Sequence, residues 1–337
     1  MTATLLSLES LRVEYPVRRS LVDAMRRRTP AGVVAVDGVS LTVAPGELVA
    51  LVGESGCGKT TTAMTVAGLV HRTGGVVRVD GVDLETLDPA QRRQRRRSVQ
   101  LVFQDPYESL DPRFTVERLV REPLEVHRVE GDHAMLVRAA LERVGLQPAD
   151  QFVHRYPHQL SGGQRQRVAI ASALVLQPTL LVADEPVSML DTSVRAGVLE
   201  LLGRLRSEGM GILMITHDLS TAARYADRIC VMYLGRVVEE GPAGQVVSQP
   251  LHPYTRALVA AVPRSDGGAR DHSLMPSGET PDPSNIPGGC RFHPRCPLVA
   301  SGEAERLGIV DRCRGVDVAL GPDAGSHRAA CHALGRS

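Results

Sequence analysis

One stretch, GESGCGKT at residues 53–60, constrains this chain more than any other. It fits the pattern G-x-x-x-x-G-K-[ST], and it stands where that pattern has meaning, directly after the apolar run ELVALV and directly before a segment with helical spacing. Glycines at 53, 56 and 58 let backbone N–H groups turn inward together, and the following helix adds its positive end, so the loop is suited to phosphate oxygens. Ser55, Cys57 and Thr61 complete the candidate contacts, and the Thr60 hydroxyl is placed to reach a Mg²⁺ ion. Lysine and arginine together number 39, yet Lys59 is the only lysine. A guanidinium is wide and planar, whereas an ammonium is a compact point charge that can sit between two phosphates. An ordinary glycine turn with a chance lysine is the bland alternative, and the flanking strand and helix weigh against it.

A second stretch supports the same chemistry. LLVADE places four apolar residues before Asp184 and Glu185, the pattern of a buried strand that delivers two acids at its C-terminal end, where open α/β sheets bind ligands. Asp184 suits Mg²⁺, and Glu185 suits the orientation or deprotonation of an attacking water. Loop, strand and acids together predict nucleoside triphosphate hydrolysis.

Apolar runs alternate with helical spacing through most of the 337 residues. LLSLESLRVEY and VVAVDGVSLTV read as strands, VVRVDGVDL as a hairpin, and VQLVFQ, TLLVAD, GILMITH and ICVMYLG as buried strands, with QRRQRRR a solvated helix face. The expected class is α/β, with a mainly parallel core sheet, an antiparallel β subdomain and a helical segment at about 106–164. A net charge of +1 gives no reason to expect nucleic acid as a partner. The N-terminus lacks a secretory leader pattern and no apolar run is long enough to span a bilayer, so a cytoplasmic location is expected.

LSGGQRQR, residues 160–167, is more specific than a nucleotide fold. It resembles the signature of the ATP-binding cassette (ABC) ATPases, and further family elements follow in the expected order. Tyr15 resembles the aromatic that stacks on adenine, Gln104 in VFQDP the glutamine loop, SMLD ending at Asp191 the loop after the catalytic glutamate, and His217 in ITHD the switch histidine. The resemblance covers about residues 15–240. It implies that Ser161, Gly162, Gly163 and Gln164 present a helix tip to the γ-phosphate of ATP held by an opposing subunit. It also implies that His217 contacts that phosphate, that Gln104 meets the metal or the water, and that Lys59, Glu185 and His217 form the catalytic set. Val187 and Ser172 depart from the family pattern, where threonine and arginine are common. A soluble ABC ATPase acting on nucleic acid or the ribosome is the competing class, and the single cassette and neutral charge disfavour it.

Composition changes near residue 250, and the last part becomes rich in Pro, Gly and Ser. The expected division is an ATPase unit at 1–250 and an extension at 251–337. LHPYTRAL and IPGGCRFHPRCP, followed by two later cysteines, are similar to the extension of ATPase subunits in oligopeptide/dipeptide importers, and QDPYESLDPR with the insert after Tyr15 looks closer to the second of two paralogous ATPases. That resemblance implies a heterodimer with a sister ATPase, two permeases and an external substrate-binding protein, at the cytoplasmic face of the membrane, with peptide as the leading substrate and nickel or another solute as the alternative. The extension offers few apolar residues for its own core, so local clips are expected. Cys290, Cys296, Cys313 and Cys331 suit a [4Fe–4S] cluster, with zinc or unligated thiols as alternatives.

Overall fold

The computed structural model describes residues 4–16, 32–105, 109–262, 276, 278–320 and 326–335. The insert at 17–31 and part of QDPYESLDPR, at 106–108, lie outside them. The strands are β1 (Leu6–Tyr15), β2 (Val33–Val43), β3 (Leu48–Val52), β4 (Gly74–Val79), β5 (Val82–Asp83), β6 (Val99–Val102), β7 (Leu180–Asp184), β8 (Gly211–Thr216), β9 (Arg228–Tyr233), β10 (Arg236–Pro242) and β11 (Arg328–Ala329).

Two sheets form. A four-stranded antiparallel sheet has the order β2-β1-β4-β5, and a seven-stranded sheet the order β11-β10-β9-β3-β8-β7-β6. In the second, β3 pairs in parallel with both β8 and β9, β7 with both β8 and β6, and β10 and β11 add antiparallel strands at one edge. All residues of β3, β7 and β8 are buried because both faces of these parallel strands are covered, which favours apolar residues everywhere except at the C-terminal ends, Asp184 and Thr216. By contrast β1 alternates buried and exposed positions until Ser10 takes a φ of 48° and the register shifts between Leu8 and Leu11. The alternating face, with Leu6, Leu8, Leu11 and Val13, packs against Leu51, Leu213 and Cys230 of the seven-stranded sheet.

The other face of that sheet carries the helical segment. Helices Val116–Val126 and His133–Arg143 start at Thr115 and Asp132, whose side chains accept backbone N–H groups of the first turn. They pack on helix Gly162–Leu174, which buries Val168, Ile170, Ala171 and Leu174. Ser172 in that helix donates its hydroxyl to the Leu119 carbonyl, and Val187 is buried in the same core.

Two expectations change. VQLVFQ is not a buried strand throughout: among the described residues β6 pairs with β7 alone, so Gln100 and Leu101 are half-buried and Phe103 is exposed. The extension is also not held by local clips alone. β11 joins the edge of β10, and Tyr254 and Phe292 enter the main core beside Tyr233, with ring centroids 4.7 Å and 5.2 Å away. Among the described residues, a separate small cluster of Ala304, Ile309 and Cys313 is the core that the extension forms by itself. The arginine run lies on helix Pro89–Arg96, which buries nothing, as its composition requires.

Candidate functional site

Between β3 and helix Lys59–Val66 the glycine loop makes a tight turn. Gly58 has φ 108°, and a Cβ there would stand 2.3 Å from the Ala35 carbonyl oxygen; at Gly53 it would stand 2.2 Å from the Met232 carbonyl oxygen. No larger residue fits either place, so the backbone approaches its neighbours as closely as the loop demands. Lys59 is buried under the loop, where its Nζ donates to the carbonyls of Gly53 and Glu54, both at 2.8 Å.

Over this loop opens a cavity of about 630 Å³. Gly53, Ser55, Gly56, Gly58, Lys59, Thr60 and Thr61 form its floor, and Gln104, Glu185 and His217 its far wall. Glu185 follows β7 with a φ of 46°, a left-handed conformation uncommon for a residue with a side chain, and its N–H is held by the Ile215 carbonyl. That turn brings its Oε2 to 2.9 Å from His217 Nδ1 and 3.4 Å from Gln104 Nε2. Three residues separated by 81 and 32 positions therefore meet at one oxygen.

Asp184 sits beneath, 4% exposed. Burial raises its carboxyl above the ordinary aspartate range, and the Thr60 hydroxyl, donating to it, opposes that shift. Its Oδ1 has no hydrogen-bond partner among the described residues. A buried carboxylate oxygen without a partner is costly, and beside the Thr60 hydroxyl it fits the oxygen donors that Mg²⁺ prefers.

Other expected residues stand elsewhere. The Cys57 side chain is buried behind the loop in the apolar core and does not line the cavity, so only its backbone can face a phosphate. Tyr15 ends β1 exposed and outside the cavity lining; Ala35 and Leu258 supply the apolar wall instead. Ser161, Gly162, Gly163 and Gln164 are also outside it. They form a capped helix start in which Ser161 Oγ accepts the Gln164 N–H and Gln164 Oε1 accepts the Ser161 N–H. Asp191 caps the next long helix, Thr192–Ser207, by position, without a side-chain hydrogen bond at that cap.

Cys290, Cys296, Cys313 and Cys331 line one small enclosed cavity together with Phe292 and Ile309. Burial, with smaller contributions from the neighbouring thiols, pushes the Cys290 thiol up to about 12 and Cys296 to about 11. Among the described residues, however, no group of three or more His, Cys, Asp or Glu side chains is placed to hold a metal ion. Leu258 and Ala35 were not visible as site residues in the sequence, where one is an apolar position in a helix and the other lies within an alternating strand.

The family described as ABC transporter matches residues 36–188, and the family described as oligopeptide/dipeptide transporter, C-terminal region, matches residues 238–302. A probable peptide ABC transporter ATP-binding protein, y4tS of Sinorhizobium fredii, is 43% identical over 98% of this chain and 90% of its own length. The chain belongs to the ABC transporter family. The oligopeptide transport ATP-binding protein AppF of Bacillus subtilis is 42% identical over 88% of this chain and 90% of its own. Among solved structures, a dimeric post-hydrolysis state of the ATP-binding cassette MJ0796 bound to ADP and Pi shares 28% identity and a TM-score of 0.61, covering 71% of this chain and 98% of that one. This ABC protein is therefore an ATPase. No helix among the described residues is long and apolar enough to cross a membrane.

Proposed function

We propose that this ABC ATPase powers the import of peptides across the cell membrane, working at its cytoplasmic face with a sister ATPase, two integral-membrane permeases and an external substrate-binding protein. The meeting of Glu185, His217 and Gln104 over the phosphate loop is the observation that carries the ATPase part. The extension that this chain shares with peptide-transport relatives supports the substrate.

In this mechanism Lys59 and the loop amides hold the β- and γ-phosphates, and Thr60, Asp184 and Gln104 would hold Mg²⁺. Bound there, Mg²⁺ supplies charge neutralisation of the phosphates. Glu185 accepts a proton from the attacking water or orients it. His217, hydrogen-bonded to Glu185, keeps that carboxylate aimed and contacts the γ-phosphate. Phosphoryl transfer requires little covalent chemistry of the protein, so positioning and charge stabilisation account for the rate. The Ser161–Gly162–Gly163 tip, with the Gln164 side chain behind it and Asp191 nearby in sequence to the catalytic strand, serves the nucleotide of the sister ATPase. Tyr15 serves as the adenine platform at the rim. The ATPase unit spans 1–250 with its helical segment at 106–164 as the contact to the permeases, and the extension spans 251–337.

An iron–sulfur cluster in the extension would take Cys290, Cys296, Cys313 and Cys331 as its ligands, although the four side chains are not placed around a metal in this conformation. Four thiols that line one small cavity without a carboxylate support a soft sulfur-bridged group, while His252, His293 and His332 in the same lining also suit zinc. Broad visible absorbance with stoichiometric iron after anaerobic purification is expected; zinc in place of iron, or neither metal, would remove the cluster. For transport, the four-protein complex in proteoliposomes with its binding protein is expected to accumulate peptide only when ATP is supplied. ATP turnover without peptide movement would overturn the peptide assignment and leave the ATPase intact.

A further inference from the structure

Glu54 is the second residue of the glycine loop, a position the loop pattern leaves open. Here each of its polar groups has a partner. Its carbonyl accepts Lys59 Nζ at 2.8 Å. Its N–H donates to the Tyr254 hydroxyl at 3.0 Å, its Oε2 accepts Arg295 Nη1 at 2.9 Å, and the same oxygen accepts the Thr280 hydroxyl at 2.7 Å. Tyr254, Thr280 and Arg295 all belong to the extension, 200 to 241 positions further along the chain.

These contacts are built, not incidental. Tyr254 is fully buried on helix Pro253–Ala261 and packs its ring on Tyr233 and Phe292. Arg295 is 9% exposed, closes the short turn His293–Arg295, and holds its guanidinium 6.0 Å from the Tyr233 ring centroid. One helical turn after Tyr254, on the same face, Leu258 lines the nucleotide cavity itself.

We infer that the extension is part of the ATP site: Tyr254, Thr280 and Arg295 latch Glu54 and thereby set the phosphate loop and Lys59 in the binding geometry, while Leu258 forms an apolar wall for the nucleotide. The physical reason is preorganisation. A glycine-rich loop has the most conformational freedom to lose on binding, and a latch that holds it beforehand removes that cost from the ATP affinity. Because the Lys59 ammonium rests on the Glu54 carbonyl, any displacement of Glu54 also displaces the charge that meets the phosphates. Glu54 and Arg295 are positioning residues in this scheme.

The inference rests on the cavity being the ATP site, and its test separates the two. The full-length protein is titrated with a fluorescent ATP analogue and Mg²⁺, and its melting temperature is measured with and without ATP. Lys59→Ala serves as the control for the site: undiminished binding would overturn the ATP assignment of the cavity, and the latch with it. Glu54→Gln and Arg295→Gln are each expected to weaken nucleotide affinity by roughly tenfold, and the double variant no further, because both remove the same contact. The ATP-induced rise in melting temperature should shrink in step. Tyr254→Phe keeps the ring packing and deletes only the hydroxyl, so it should lower affinity with little change in the melting of the ligand-free protein. In the assembled transporter the Arg295 variant should raise KM more than it lowers kcat. Unchanged affinity in the single variants, or losses that multiply in the double, would overturn the latch while leaving the ATP site standing.

Discussion

The phosphate loop and the C-terminal extension touch at Glu54, but they are held in place by different means. The loop owes its shape to contiguous backbone: glycines that no side chain could replace, a buried strand behind it and a helix in front. The extension has almost no core of its own and is secured by side chains reaching into the ATPase unit. Tyr254 and Phe292 lie against Tyr233, Arg291 and Asp317 reach Asp37 and Arg236, and His327 pairs with the fully buried Glu239. The difference teaches that a motif can be complete in sequence and still depend on a distant segment for its position. It also separates two kinds of damage, chemical at the loop and mechanical at the extension.

Changes at the loop side should be the largest. Glu185→Gln removes the proton acceptor while leaving the loop untouched, so steady ATP turnover should fall by about 10²–10⁴-fold with nucleotide binding retained. A colorimetric phosphate assay beside an ATP-binding titration reads both, and undiminished turnover would take Glu185 out of the reaction. Lys59→Arg should lose most of the affinity that Lys59→Ala loses, because charge is kept but the compact ammonium is not. Near-normal affinity would show that charge alone suffices.

On the extension side, Phe292→Ala removes a fully buried ring that touches Tyr233, Tyr254 and His252. It should cost about 3–5 kcal/mol and expose residues beyond 250 to limited proteolysis before the ATPase unit is cut. Simultaneous digestion of both regions would mean that they unfold as one body.

Asp37 sharpens the comparison through pH. Burial alone would raise its carboxyl, but hydrogen bonding and charge from Arg236, with Arg291 and Arg12 adding theirs, hold it below the ordinary aspartate value. A carboxylate whose folded value is depressed stabilises the fold above its unfolded value, near pH 4, and loses that contribution as pH falls through the folded value. Asp37→Asn should therefore lower stability by about 2 kcal/mol at pH 7, with the melting gap to the parent protein closing below about pH 4. A gap that persists in acid would refer the effect to packing. The smallest stability change is expected at Ser161→Ala, about 1 kcal/mol from the lost helix cap. If its turnover in the assembled complex falls far more than that, the serine acts on a nucleotide as well as on its own helix.

Much of the fold was legible because its strands differ in kind. β3 and the apolar runs that lead to Asp184 in β7 and Thr216 in β8 read as covered parallel strands, and β1 as a half-exposed one, since burial on two faces or one leaves a different periodicity. VQLVFQ misled because an edge strand can be as apolar as a central one over four residues. At the site, the loop and the acids at the end of β7 were readable as contiguous patterns, whereas Leu258 and Arg295 were not. Arg295 meets Glu54 across 241 positions and Leu258 meets the loop only in the cavity lining, and a contact formed that far apart leaves no local spacing to detect.

By itself the sequence determined that a phosphate loop would form between a strand and a helix, that Asp184 and Glu185 would stand at a strand end, and that four cysteines would fall in one late segment. Those are local facts, set by residue type and spacing over a few turns of chain. Only the tertiary structure decided that His217 and Gln104 would meet one Glu185 oxygen, that Cys57 would turn away from the cavity, and that the extension would bring Arg295 to Glu54 and Leu258 into the cavity lining. Such contacts depend on how whole sheets and helices pack, and packing is settled by the shared core around Tyr233, which no single stretch of the chain contains.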